Sequence, residues 1–168
     1  MKLNYKDVTM QGLKTSCYNF HEVKIRDYYE YDGVKYFVDG KKVVLDYSLY
    51  EKKIAEWLCI LFGGDIYLLS RINEPKGIRT SYYLYNDEYW DLKKMSCNAI
   101  SKKRAVDNII KKSKFQTENI ILDISDSILS EKLILKQVKK LYTTSGREWI
   151  KCVLIVKNFE LIKIFVRK

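Results

Sequence analysis

Tyr82-Tyr83-Leu84-Tyr85-Asn86-Asp87-Glu88-Tyr89-Trp90-Asp91-Leu92-Lys93-Lys94-Met95 is the stretch on which the fold turns. Two runs rich in aromatic residues flank Asn86-Asp87-Glu88, which reads as a tight hairpin of strands 82–85 and 89–95. Side chains two apart on a strand share a face, so Asp91 and Lys93 point the same way. A carboxylate can hold a divalent cation, and a neighbouring amine can orient an attacking water or offset charge. The bland reading is a surface ion pair of little energetic value.

Working outward, a helix is predicted over 50–62. Ile54, Trp57, Leu58 and Leu61 recur at helical spacing, and Gly63-Gly64 stops it. Glu56 is expected at the inner edge of that helix. Residues 66–69 read as a short strand, and residues 73–81 as a loop containing Pro75 and Gly77. Asp32-Gly33 and Asp39-Gly40 are hairpin signals, giving a meander of strands near 26–31, 34–38 and 41–46. Residues 1–22 show weak periodicity and read as irregular.

Beyond the hairpin come a polar loop over 96–102 and a helix near 103–116. Ile120-Ile121-Leu122-Asp123-Ile124 follows, apolar nearly throughout, as in a strand covered on both faces. Ser130 is placed to cap a helix carrying Leu133, Ile134, Val138 and Leu141. Residues 152–156 form a second apolar strand, and Asn158-Phe159 turns the chain into a last strand over 161–166. Buried strands joined through helices imply an α/β fold with a mixed sheet. The expected division is an N-terminal β-meander extension over 1–48 and an α/β domain over 49–168.

The chain has 168 residues and a net charge of +10. Residues 1–50 carry 8 Lys+Arg against 7 Asp+Glu, and the remainder carries 23 against 14. The basic excess therefore lies after Tyr50, and a basic surface suits a polyanion. Arg71, Lys76 and Arg79 in the loop before the hairpin are candidate nucleic-acid contacts, as are Lys94, Lys102, Lys103, Arg104 and Lys111 after it. Tyrosine, present in 14 copies, can stack on unpaired bases. Solvated helix faces with i,i+4 pairs such as Lys103–Asp107 are the alternative.

Cys17, Cys59, Cys97 and Cys152 are scattered, and His21 stands alone, so no Cys/His zinc site is expected. No leader with an apolar core and no apolar run of about 18 residues is visible, so a cytoplasmic protein without a membrane partner is expected.

Residues Gly63-Gly64-Asp65-Ile66-Tyr67-Leu68-Leu69-Ser70-Arg71-Ile72-Asn73-Glu74-Pro75-Lys76-Gly77-Ile78-Arg79-Thr80, followed by Tyr89-Trp90-Asp91-Leu92-Lys93, resemble the CdiA-type C-terminal tRNA nuclease domain. That family belongs to the PD-(D/E)xK nuclease superfamily. The resemblance covers roughly residues 28–168. It implies a nuclease-like mixed sheet flanked by helices, with Asp91 and Lys93 as the (D/E)xK half of the motif and Glu56 as the helix acid. Catalysis would then rest on Glu56, Asp91 and Lys93, and Mg or Mn on Glu56 and Asp91. The Pro-Asp half is replaced by Ser81-Tyr82, so Tyr82 stands where a metal-binding Asp is expected.

Two functions follow. One is metal-dependent cleavage of tRNA or another structured RNA, with RNA favoured over DNA and an immunity protein as partner. The other is a catalytically impaired, metal-free binding protein of a phage or mobile element. Such a protein would inhibit a host defence system in an anti-CRISPR manner, acting on guide RNA or on an RNA-guided nuclease.

Overall fold

The computed structural model describes residues 4–14, 22–96 and 103–168. In chain order the elements are β1 (Tyr5–Asp7), α1 (Thr9–Lys14), β2 (Val23–Ile25), β3 (Tyr28–Tyr31), β4 (Val34–Phe37), β5 (Val43–Val44), α2 (Leu49–Phe62), β6 (Ile66–Leu68), β7 (Arg71–Ile72), β8 (Tyr83–Tyr85) and β9 (Glu88–Lys94). They continue with α3 (Ala105–Ile110), a 3-10 turn (Lys111–Ser113), β10 (Asn119–Asp123), α4 (Glu131–Leu141), β11 (Cys152–Lys157) and β12 (Glu160–Arg167). This is a mixed α/β architecture with sheet strands flanked by helices. The described chain forms two compact units, Met1–Gly12 with Asp91–Lys168, and Leu13–Trp90.

In the first unit the strand order is β1-β12-β11-β10-β9. β10 and β11 run parallel, from Asn119↔Cys152 to Asp123↔Val156. A parallel pair needs a crossover, which α4 supplies. Every residue of β10 is buried, its polar ends Asn119 and Asp123 as well as the apolar Ile120-Ile121-Leu122. Ile120, Leu122, Val153 and Ile155 pack with Val106 and Ile110 of α3 and with Ile134, Val138 and Leu141 of α4. The three α4 residues recur at i, i+4 and i+7, the helical stripe read from sequence. Ser130 caps α4, its Oγ accepting from the Leu133 amide at 3.4 Å. β11 turns back into β12 through Asn158 and Phe159, both at positive φ (50° and 59°), the backbone a two-residue hairpin loop requires.

The N-terminal segment departs from expectation. Among residues 4–14 there are a strand and a helix, where irregular chain was expected. β1 pairs antiparallel with β12 from Tyr5↔Arg167 to Asp7↔Phe165. The Tyr5 ring packs against Tyr142 and edge-on to Phe165. Three residues are too few to show a period, and their order comes from a partner at the other end of the chain.

In the second unit the strand order is β9-β8-β6-β2. α2 opens with a reciprocal capping box, Ser48 accepting from the Glu51 amide and the Glu51 carboxylate accepting from the Ser48 amide. It stops at Gly63, whose N–H reaches the Cys59 carbonyl. The β8–β9 hairpin turns through Asn86 (φ 49°) and Asp87 (φ 59°). β3 and β4 form the first predicted hairpin, around Asp32-Gly33.

The second Asp-Gly behaves differently. The Asp39 carboxylate accepts from the amides of Lys41, Lys42 and Val43 at 2.7–3.0 Å, closing the loop on itself. The strand beyond it shrinks to Val43–Val44 and pairs with β7 instead of β4. The predicted three-stranded meander is therefore one hairpin and one separate ladder. Cys59 and Cys152 are buried free thiols, and burial pushes the Cys59 thiol up. Cys17, His21 and Cys97 lie outside the described residues. No helix among the described residues is long and apolar enough to cross a membrane.

Candidate functional site

Asp91 and Lys93 sit on the half of β9 that belongs to the first unit. Met95, just beyond the strand, lies in the core beneath α3 and α4. Its amide donates to the Asp123 carbonyl of β10 at 2.8 Å. Strand alternation places Asp91 and Lys93 on the same face as Met95. Lys93 Nζ stands 2.7 Å from Asp91 Oδ2, with the two side chains 16% and 0% exposed. The pairing of these two residues is thus met, and the pair is buried rather than superficial.

Among the described residues, two carboxylates are completely buried, Asp91 and Asp123. Asp123 is satisfied locally: its Oδ1 accepts from the Ser125 amide and hydroxyl at 2.9 and 2.5 Å. Asp91 is not. It has no such cap: the Lys93 ammonium, 2.7 Å from Oδ2, compensates its charge, and neither oxygen takes a hydrogen bond from another group among the described residues. A buried carboxylate ordinarily collects hydrogen bonds, and one left without them needs an explanation. A hard cation ligated by oxygen is one such explanation. Mg²⁺ is commonly held by one or two carboxylates, with water and substrate phosphate completing its shell. Asp91 fits that chemistry. Among the described residues no group of three or more His, Cys, Asp or Glu converges to form a protein cage.

Glu56 is placed otherwise than expected. It lies in the second unit on α2, whose buried residues are Ile54, Ala55, Leu58 and Cys59. Its side chain is 49% exposed and 4.0 Å from Lys52, one turn earlier. Its neighbours at i−4 and i+4, Lys52 and Ile60, are exposed too, so the apolar stripe turns Glu56 outward rather than to the inner edge. Tyr82 keeps its backbone in the sheet, donating to the Trp90 carbonyl and accepting from the Leu69 amide.

The candidate basic contacts divide between the units. Arg71 pairs with Asp46 at 2.6 Å, and Lys76 and Arg79 are exposed in the second unit. Lys94 pairs with Asp126 at 2.8 Å, and that hydrogen bond raises its pKa. Lys111 is exposed and begins the 3-10 turn after α3. Lys102 lies outside the described residues. Lys103 and Arg104 line a cleft of about 180 Å³ in the first unit, together with Asp107, Gln137, Lys140, Leu141, Thr144 and Arg147.

Sequence reading missed the contribution of α4 and the loop after it. Lysines at 132, 136, 139 and 140 were the available signal. Charge follows the units closely. The first has 20 Lys+Arg against 9 Asp+Glu, a net +11, and the second has 11 against 12, a net −1.

One chain of the CdiA-CT/CdiI toxin and immunity complex from Burkholderia pseudomallei aligns with a TM-score of 0.42 at 14% identity, over 74% of this chain and 91% of that one. No curated protein sequence matches. Residues 79–161, which include β8, β9, α3, β10, α4, β11 and its turn, match the family described as the contact-dependent growth inhibition CdiA C-terminal domain.

Proposed function

We propose that this chain is a toxin-type nuclease that hydrolyses phosphodiester bonds of RNA, tRNA or another structured RNA being the substrate class, with Asp91 as the residue on which a divalent cation is held. The observation that carries this reading is the Asp91 carboxylate, wholly buried, ion-paired with Lys93, and without a hydrogen bond from another described group on either oxygen. The family match, which spans Asp91 and Lys93, supports a nuclease-type toxic function. The net +11 of the unit that contains them supports a polyanionic substrate.

Bound Mg²⁺ or Mn²⁺ would supply Lewis-acid polarisation of the scissile phosphate and a water of lowered pKa. Asp91 would hold that cation from β9. Lys93 stands next to the anchor and is placed to orient the water and to offset charge gathering on the phosphoryl oxygens. The water oxygen bonds to phosphorus, and the departing ester oxygen takes up a proton. Glu56, exposed and paired with Lys52, is given no part. The family match supports a toxin over the alternative of a decayed nuclease that inhibits a host defence complex, although Tyr82 and the outward Glu56 fit that alternative. A protein that covers the reactive face and blocks it is the partner this reading implies.

The test is incubation of the purified chain with total tRNA, a structured RNA and duplex DNA in Mg²⁺ or Mn²⁺, with products resolved by length. RNA fragments that vanish with chelator and with Asp91→Asn are expected. Intact RNA under every condition, or cleavage that persists in Asp91→Asn, sinks the proposal.

A further inference from the structure

The basic cleft beside α3 and α4 is built differently from a solvated lysine face. Its one acid is already paired. Arg147 grips Asp107 at two points, Nε to Oδ1 at 2.5 Å and Nη2 to Oδ2 at 3.1 Å. Its third guanidinium nitrogen, Nη1, donates to the Gly146 carbonyl at 2.9 Å. The Arg147 carbonyl in turn accepts from Arg167 Nη2 at 2.7 Å. Arg147 is therefore a fixed wall that neutralises Asp107 rather than a free cation.

Lys103, Arg104 and Lys140 face the same cleft and are exposed. Among the described residues no ion pair ends on any of the three. Lys140 stands in the last turn of α4, where the helix dipole favours a cation. That explains one lysine but not its convergence with Lys103 and Arg104 from the start of another helix. Three like charges around a volume of about 180 Å³, room for roughly six waters, repel one another until an anion enters.

We propose that this cleft seats a backbone phosphate of a nucleic acid, held by Lys103, Arg104 and Lys140 over the wall made by Arg147 and Asp107. The proposal deepens the nuclease reading, and it rests on that reading only for the class of polymer. Phosphate contacts of this kind position a nucleic acid and carry no sequence information. Lys140 contributes as much as the two residues adjacent in sequence, although it lies on a different helix.

The experiment is fluorescence anisotropy of the full chain, in chelator so that nothing is cut, with a labelled RNA hairpin and a DNA of the same sequence. Lys103→Glu with Lys140→Glu reverses two charges inside the cleft. Lys132→Glu with Lys136→Glu reverses two on α4 outside it. The cleft pair is expected to weaken binding at least tenfold. It is also expected to flatten the salt dependence, by about one in log–log slope for each phosphate that is no longer neutralised. The outer pair is expected to change affinity less than threefold. Comparable binding of RNA and DNA supports the cleft, since both carry the phosphodiester.

Equal weakening by both pairs, no effect of the cleft pair, or no binding by the unaltered chain overturns it. If the charge reversals unfold the protein, Lys103→Gln with Lys140→Gln gives the same comparison. Binding without any cleavage in Mg²⁺ would sink the nuclease reading and leave the cleft standing. Asp91-dependent cleavage with unaltered binding by the cleft pair would do the reverse.

Discussion

Lys93 holds its ammonium 2.7 Å from the Asp91 carboxylate two residues back on the same strand, and Asp91 has no exposed surface at all. Removing one member of such a pair leaves the other as an uncompensated buried charge. Lys93→Met is therefore expected to destabilise the fold by about 3–5 kcal/mol. Asp91→Leu combined with Lys93→Met removes both charges and is expected to restore most of that stability. Urea denaturation of the two variants checks this. A Lys93→Met protein as stable as the unaltered chain would show that Asp91 is compensated by something else.

Gly64 is locked between the end of α2 and the hairpin tip of the second unit. Its φ is +88°, and a Cβ there would lie 2.9 Å from Asn86 Oδ1 and 3.0 Å from Tyr85 Cε2. Tyr85 is itself tied down, donating its hydroxyl to the Gly63 carbonyl at 2.6 Å. Gly64→Ala is expected to cost more than about 1 kcal/mol. Gly33→Ala shares a positive φ but meets nothing within 4 Å, so it should cost less. Comparing the two denaturation midpoints separates crowding from backbone strain.

Tyr142 is buried and donates its phenolic hydroxyl to the Phe165 carbonyl at 2.7 Å. Tyr142→Phe leaves that carbonyl without this donor, at a cost of about 1–2 kcal/mol. Burial pushes the phenol well above its usual range. An unfolded chain releases this proton near pH 10, whereas the folded chain keeps it. Stability is therefore expected to fall as pH rises past about 10. Tyr142→Phe should flatten that alkaline decline, measured as Tm against pH.

On the acid side the informative group is Asp7 of β1. Burial pulls its pKa up, but hydrogen bonds from the Thr9 hydroxyl, Lys163 and the Thr9 amide outweigh it and hold the carboxyl below its usual value. A depressed carboxyl contributes stability above its unfolded pKa of about 3.9 and loses it as pH falls through the folded value. Asp7→Asn is expected to be less stable near neutrality and less sensitive to acid below pH about 4. Parallel acid-denaturation curves for the two proteins would refute this.

What could be read from sequence was what short-range pattern determines. Ile54 and Leu58 of the α2 stripe, the turns at Asn86-Asp87 and Asn158-Phe159, and the fully covered β10 each follow from a few consecutive residues. So does the facing of Asp91 and Lys93. In α2, however, Ala55 and Cys59 are buried in place of the expected Trp57 and Leu61. What could not be read depended on distant partners. β1 takes its order from β12, and Asp39 commits its carboxylate to three amides where a hairpin was expected. Glu56 borders an apolar stripe, yet the helix turns it outward, because one step along a helix is about 100° and proximity in sequence does not fix a face. The helix expected near 103–116 is shorter, α3 giving way to a 3-10 turn and then to Phe115 at φ 72°. The cleft was invisible because Lys140 and Arg147 join Lys103 and Arg104 only through tertiary packing.

Pairing of Tyr5–Asp7 with Phe165–Arg167 joins residues near opposite ends of the sequence. β1 finds its partner only after the chain through β12 has been made, and closing a loop of that span slows the step. A fragment ending before residue 160 would thus keep Asp91 and Lys93 on β9 while β1 lacked the strand it pairs with.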